Sequence, residues 1–237
     1  TRFTHYYATG VTCCPARTGL MTGRFPATFQ KYPSGFGFGN RVTITELLKQ
    51  NGYATGHFGK WHIGTVMEPG TYGIDVIGGE EGGKRKQPTG DRGRDAPMYD
   101  QAVSFIEKHK DGPFFCYLPF TTPHSPWSAP PENWAHFRDK AITQTATEPD
   151  KEVADETRCA LAMLENQDWN VGRVLAKLEE LHLQENTIVL YFSDNGPNTF
   201  RWTGGMRGKK GMTDEGGVRS VCYLRWPGKL PAGRTVS

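Results

Sequence analysis

TCCPARTGLMTGR, spanning Thr12–Arg24, reads as a helix with both ends marked, and the rest of the chain is best read outward from it. Pro15 suits the first helical turn, where its missing N–H costs nothing, and Gly23 suits the C-terminal cap, where a left-handed residue is wanted. Cys13 then stands at the helix N-terminus, where unpaired amides and the helix dipole favour an anion, with Arg17 one turn further on. Two adjacent cysteines are ordinarily small buried hydrophobes or a metal-binding pair. A cysteine, proline and arginine at this spacing, on this end of a helix, instead describe a place for an oxyanion ester.

On either side of later loops, helix and strand signals alternate. Thr43 with Glu46 forms a capping-box pattern, Ile44, Leu47 and Leu48 make an apolar stripe, and Gly52 closes that helix. A short strand from Tyr53 to about Phe58 should follow. Asp95 and Pro97 start a helix whose inward face holds Ala102, Val103, Phe105 and Ile106, and Phe114–Leu118 (FFCYL) is a compact buried strand. A long helix through roughly Glu152–Leu181 carries Leu161, Leu164, Val171, Val174, Leu175 and Leu178 on its apolar side. Thr187–Ser193 (TIVLYFS) is a near-continuous apolar run, which predicts a central parallel strand covered on both faces. Ser220–Trp226 predicts one more strand, and Gly78–Arg94, rich in glycine and charge, reads as a solvated loop. This alternation predicts an α/β fold, a mostly parallel sheet with helices on both faces.

Composition narrows the function classes. The 237 residues carry 28 basic and 25 acidic side chains, a net charge of +3, so no strong polyelectrolyte field is available and nucleic-acid binding is not indicated. No stretch approaches the length of a membrane-spanning helix. The length suits one large domain or a piece of one. Five cysteines (Cys13, Cys14, Cys116, Cys159 and Cys222) make an odd count without zinc-like spacing and fix neither a disulfide framework nor a compartment.

Several polar groups follow the expected strands. Lys60 and His62 lie in GKWHIG just past the first, where a spacing of two in extended backbone sends both side chains to one side. His124 follows Phe114–Leu118, in TTPHSP, and Asp194 and Asn195 follow Thr187–Ser193. Ligands of open α/β sheets bind beyond the carboxyl ends of the strands, so these groups are expected at one edge. Singly, each has an ordinary reading: a structural histidine, a turn at Asp-Asn-Gly, a surface charge at Lys209 or Lys210.

Taken in order, they resemble the type I sulfatases of the alkaline-phosphatase-like superfamily. Cys13, Pro15, Arg17, Leu20, Thr22, Gly23 and Arg24 match that family's Cys-x-Pro-x-Arg and Leu-x-Thr-Gly-Arg signature. GYATGHFGKWHIG resembles its Gly-Lys-Trp-His block, SDNG its metal-binding block, and MRGKKGMTDEGGVR its late Arg-Gly-x-Lys-Gly block, which aligns Lys210 with the family's lysine. The resemblance runs from about Phe3 to Gly233. It implies that a formylglycine-generating enzyme converts Cys13, not Cys14, to formylglycine, whose hydrate is the nucleophile. It further implies that Arg17 holds that residue, Lys60 and Lys210 bind sulfate, His62 acts as base, and His124 protonates the leaving group. Asp194 and Asn195 would bind a divalent metal, Ca2+ in the family, for which oxygen ligands are suited.

The implied activity is hydrolysis of an aryl or carbohydrate sulfate ester, with a sulfated small molecule or glycan as substrate and a periplasmic, secreted or lysosomal setting. Formylglycine-dependent phosphonate monoester hydrolysis or phosphodiester cleavage, and an inactive truncated homologue, are the alternatives. Because the family carries two further acidic metal ligands upstream of its cysteine and none of Thr1–Thr12 is Asp or Glu, residues 1–237 are expected to be an internal fragment of a sulfatase catalytic domain. On that expectation the fold is incomplete at both ends, lacking the first strand and the C-terminal subdomain, and the isolated segment binds calcium weakly.

Overall fold

The computed structural model describes residues 1–64, 67–78 and 92–237. Its elements run β1 (Arg2–Tyr7), α1 (Cys13–Thr22), α2 (Pro33–Phe36), α3 (Ile44–Gln50), β2 (Ala54–Phe58), β3 (Val76–Gly78), α4 (Ala96–Lys108), β4 (Phe114–Tyr117), α5 (Pro131–Phe137), α6 (Ala154–Glu180), β5 (Val189–Phe192), α7 (Glu215–Val218), β6 (Arg219–Arg225) and β7 (Thr235–Val236). The strands form two sheets, ordered β3-β2-β4 and β5-β6-β1-β7. The first is parallel throughout. In the second, β1 is parallel to β7, while β6 runs antiparallel to both β1 and β5.

The parallel sheet is covered on both faces, as alternation in its strands requires. Ala54 and Phe58 of β2 join Phe114 and Cys116 of β4 against Ala102 and Phe105 of α4. From the opposite face, His57 meets Tyr117, and Tyr117 packs on the cluster of Cys14, Met21, Phe38 and Ile63 that seats α1. The sheet is thus held between α4 and α1. That places the N-terminus of α1 over the carboxyl ends of β2 and β4.

Four expectations are corrected. The run Thr187–Ser193 predicts a central parallel strand; β5 instead stands at the end of its sheet, antiparallel to β6, with Ile188 56% and Leu190 49% exposed. A continuous apolar run signals a strand but cannot name its neighbours. Here much of its apolar surface lines a cleft between the two sheets. The α6 stripe behaves likewise in part: Leu178 is buried as expected, but Leu161 and Leu164 are exposed and Leu164, Val171, Val174 and Leu175 line the same cleft, while the buried face adds Cys159, Ala160, Ala162 and Met163 to the polar Thr157, Asn166, Gln167 and Asn170. Their donors find partners invisible in a periodicity, such as the Tyr191 hydroxyl at 3.1 Å from Gln167 Nε2 and the Asn166 carbonyl at 3.1 Å from Asn170 Nδ2.

In α3 the capping box of Thr43 and Glu46 is present. Its stripe, however, is exposed at Ile44 and Leu47, because the buried side is Thr43 and Thr45, both donating to the Tyr72 carbonyl. Finally, the backbone after β2 is not extended: Gly59 has φ 133° and His62 φ 64°, so Lys60 and His62 do not share a face by strand geometry. The strand β1 had no counterpart in the sequence reading, since HYY and its neighbours carry no clear apolar alternation. Most of the expected loop Gly78–Arg94 lies outside the described residues.

Candidate active site

Thr12 enters α1 in extended conformation without using its side chain as a cap. The Thr12 side chain therefore leaves the Cys13 and Cys14 amides of the first turn uncapped, and helix ends of this kind suit an anion. At the other end Gly23, at φ 64°, donates to the Gly19 carbonyl, the close expected of a glycine cap. Cys13 is 3% exposed, and two ammonium groups donate to its sulfur: Lys60 Nζ at 3.2 Å and Lys210 Nζ at 3.1 Å.

Both lysines are delivered by backbone contacts. Lys60 N donates to the Pro119 carbonyl at 2.8 Å, locking the end of β2 to the end of β4. The approach needs a glycine at 59, where a Cβ would lie 2.5 Å from that carbonyl oxygen. Lys210 N donates to the Pro197 carbonyl and Gly211 N to that of Val11, so the late loop is pinned between the Asp-Asn-Gly turn and the approach to α1. Gly196 permits this stacking, since a Cβ there would stand 1.9 Å from the Gly216 carbonyl oxygen. Burial lowers the Lys60 pKa, with Arg17 and Lys210 adding to the effect and Cys13 opposing it.

Arg17, nearly buried, joins the two sheets. Its Nε donates to Asp194 Oδ2 at 2.8 Å and its Nη1 to the Lys60 carbonyl at 2.7 Å, tying the end of β5 to the end of β2. Such a pair is costly to break from one side, because the surviving charge is left desolvated. Next to it, Asn195 Nδ2 donates to the Gly196 carbonyl, while its Oδ1 is buried without a partner. A carboxylate beside an orphaned amide oxygen fits the donor chemistry of a hard cation. Among the described residues no three His, Cys, Asp or Glu side chains converge as a metal site.

The histidines are placed differently. His124 lines the cleft that also holds Cys13, Lys60, Asp194 and Lys210, and its Nδ1 lies 2.8 Å from the Ser125 carbonyl oxygen. His62 is exposed. Burial of its ring lowers its pKa, as do Lys60, Arg17 and Lys210, with Asp194 opposing, so it feels the charges of the site. The sequence reading missed Asn198, whose Nδ2 donates to Ser125 Oγ at 3.1 Å. It also missed Arg94 and Asp95, which grip the loop around His124. Only chain folding brings these together, and no local pattern announces it.

The family model described as Sulfatase matches residues 1–237. The chain is 28% identical to an arylsulfatase of Hemicentrotus pulcherrimus over 98% of its own length and 48% of that protein's. It spans about half the length of the curated relatives it matches. The structure of BT4656 in complex with its substrate D-glucosamine-2-N,6-O-disulfate shares its fold, with a TM-score of 0.76 at 19% identity, covering 100% of this chain and 66% of that one. So does the phosphonate monoester hydrolase of Agrobacterium radiobacter, with a TM-score of 0.75 at 17% identity over 100% and 63%.

Proposed function

This chain belongs to the sulfatase family, and from that premise we propose that it serves the hydrolysis of an aryl or carbohydrate sulfate ester, with Cys13 as the precursor of a formylglycine nucleophile. The observation that carries the reading is the pair of ammonium groups 3.1 and 3.2 Å from Cys13 Sγ, at a helix N-terminus whose amides are uncapped. A sulfate brought to that point meets two fixed cations and a helix dipole. Preorganised charge of this kind is most valuable where charge gathers in a transition state.

An aldehyde hydrate at residue 13 supplies the attacking hydroxyl and, in its second hydroxyl, the means of expelling sulfate. Lys60 and Lys210 hold the sulfate oxygens in ground and transition states. His124 gives a proton to the departing alcohol oxygen, and His62 takes one from the second hydroxyl of residue 13. Imidazoles suit both steps because they change charge near neutral pH. Arg17 orients Asp194 and the Lys60 carbonyl, and so the frame around residue 13. Asp194 and the Asn195 Oδ1 would hold Ca2+, which when bound adds positive charge beside the sulfate.

A second reading, phosphonate monoester or phosphodiester hydrolysis, is kept by the likeness to the Agrobacterium hydrolase. Assaying matched 4-nitrophenyl sulfate, phenylphosphonate and phosphodiester substrates decides between the two. The proposal expects the sulfate to be turned over with the highest kcat/KM; a clear preference for the phosphorus ester would replace it with the second reading.

A further inference from the structure

Asp95 occupies the N-cap of α4, a position where a carboxylate ordinarily accepts from the helix's own first amides. It makes no such bond. Its side chain is 3% exposed and is spent on another segment: Oδ2 accepts from Thr121 N at 3.0 Å and Thr122 N at 2.7 Å, and Oδ1 accepts from the Thr121 hydroxyl at 2.6 Å. The neighbouring Arg94 grips the same loop from its acceptor side. Its Nη2 donates to the carbonyls of Thr121 and His124, and its Nη1 to that of Pro126. One dipeptide thus binds amides with an anion and carbonyls with a guanidinium, and both holds fall on residues 121–126, with His124 inside a turn closed by its own N–H to the Thr121 carbonyl.

We propose that Arg94 and Asp95 are positioning residues that set the place of the His124 imidazole by fixing the loop that carries it. The proposal rests on the reading of His124 as the leaving-group acid. The physical case is that six charge-assisted bonds fall on four residues of one short loop, Thr121, Thr122, His124 and Pro126, more than closing a loop needs, since such bonds are individually the stronger kind. A misplacement of about 1 Å in a proton donor is enough to cost a large share of its effect. A hold spent on the backbone either side of one histidine has that histidine's position as its consequence.

The test uses the formylglycine-bearing enzyme and two esters, 4-nitrophenyl sulfate, which leaves without help, and a sugar 6-O-sulfate, which needs a proton. Asp95→Asn and Arg94→Gln are each expected to lower kcat on the sugar sulfate about tenfold while holding nitrophenyl sulfate within about twofold. In the double variant Asp95→Asn/His124→Ala, the sugar sulfate should turn over no more slowly than in His124→Ala alone, because a residue acting only through His124 has nothing left to lose. Should Asp95→Asn fail to fold, Thr121→Val, which deletes a single donor to Asp95, should show the same selectivity. Equal losses on both esters, no loss on either, or additive losses in the double variant would overturn the positioning role while leaving His124 in place. A His124→Ala enzyme that shows no leaving-group selectivity would overturn the acid assignment, and the positioning role with it.

Discussion

Lys60 and Lys210 reach Cys13 to within hydrogen-bonding distance, whereas His62 is exposed at a left-handed φ and His124 rides a loop held by residues far away in sequence. The cationic wall is fixed by main-chain bonds between strand ends, with glycines at 59 and 196 allowing backbones to touch. On the histidine wall, the loop of His124 depends on the side chains of Arg94 and Asp95. On the proposed reading, the groups that neutralise charge are built into the fold, while the loop of the proposed leaving-group acid is placed by detachable contacts. Substitutions should therefore act differently on the two walls.

The largest split is expected on the histidine wall. His124→Ala should lower kcat on a sugar sulfate by about 10²–10⁴-fold, the usual worth of general acid catalysis, and barely touch an aryl sulfate with a good leaving group. Equal losses on both would erase the distinction between the walls. On the cationic wall, Lys60→Ala or Lys210→Ala should cut kcat/KM by about 10²–10³-fold, on the scale of losing one preorganised donor, and should do so for both esters alike, with KM raised. Steady-state kinetics on the two substrates reads both outcomes.

A third histidine sharpens the contrast through stability. His57 is 1% exposed, its two ring nitrogens lack hydrogen-bond partners, and it lies edge-on to Trp61 at 5.2 Å between ring centres. Burial, with some repulsion from Arg17, pushes its imidazole from 6.5 down to about 4. The unfolded chain then binds the extra proton between those values, so this contribution to stability is complete above about pH 6.5 and is lost as the pH falls toward 4. The loss amounts to about 3 kcal/mol. His57→Phe, which keeps an aromatic ring there, should flatten the dependence of denaturation midpoint on pH across that window; an unchanged slope would show that other groups set it.

The smallest effect separates the two cysteines. Cys14 is as buried as Cys13 but faces the cluster of Met21, Phe38 and Ile63, and burial raises its thiol pKa. Cys14→Ala should cost about 1 kcal/mol in chemical denaturation and leave turnover unchanged.

What the sequence shows and what it hides follow the same line. The capping box at Thr43, the helix opened by Asp95 and Pro97, the strands at Phe58 and Phe114, and the glycine close of α1 are local, so they can be read from a few neighbouring residues. The convergence of Cys13, Lys60 and Lys210 was legible only through motif order, since no spacing in the chain states that residues 47 and 197 positions apart will touch. The end position of β5 and the exposed leucines of α6 were illegible because an apolar pattern records burial without recording against what. Arg94 and Asp95 read as a charged loop end and an ordinary cap, and only the fold turns them toward residue 124.

The central claim is that residue 13, and not its neighbour, is the nucleophile precursor held by the two lysines. Peptide mass spectrometry of catalytically active protein, made in cells that carry the formylglycine-generating machinery, tests it most directly. The aldehyde is expected at position 13 with an intact thiol at Cys14, and no turnover in Cys13→Ala. An active enzyme with an unmodified thiol at 13, or with the aldehyde at 14, would contradict it.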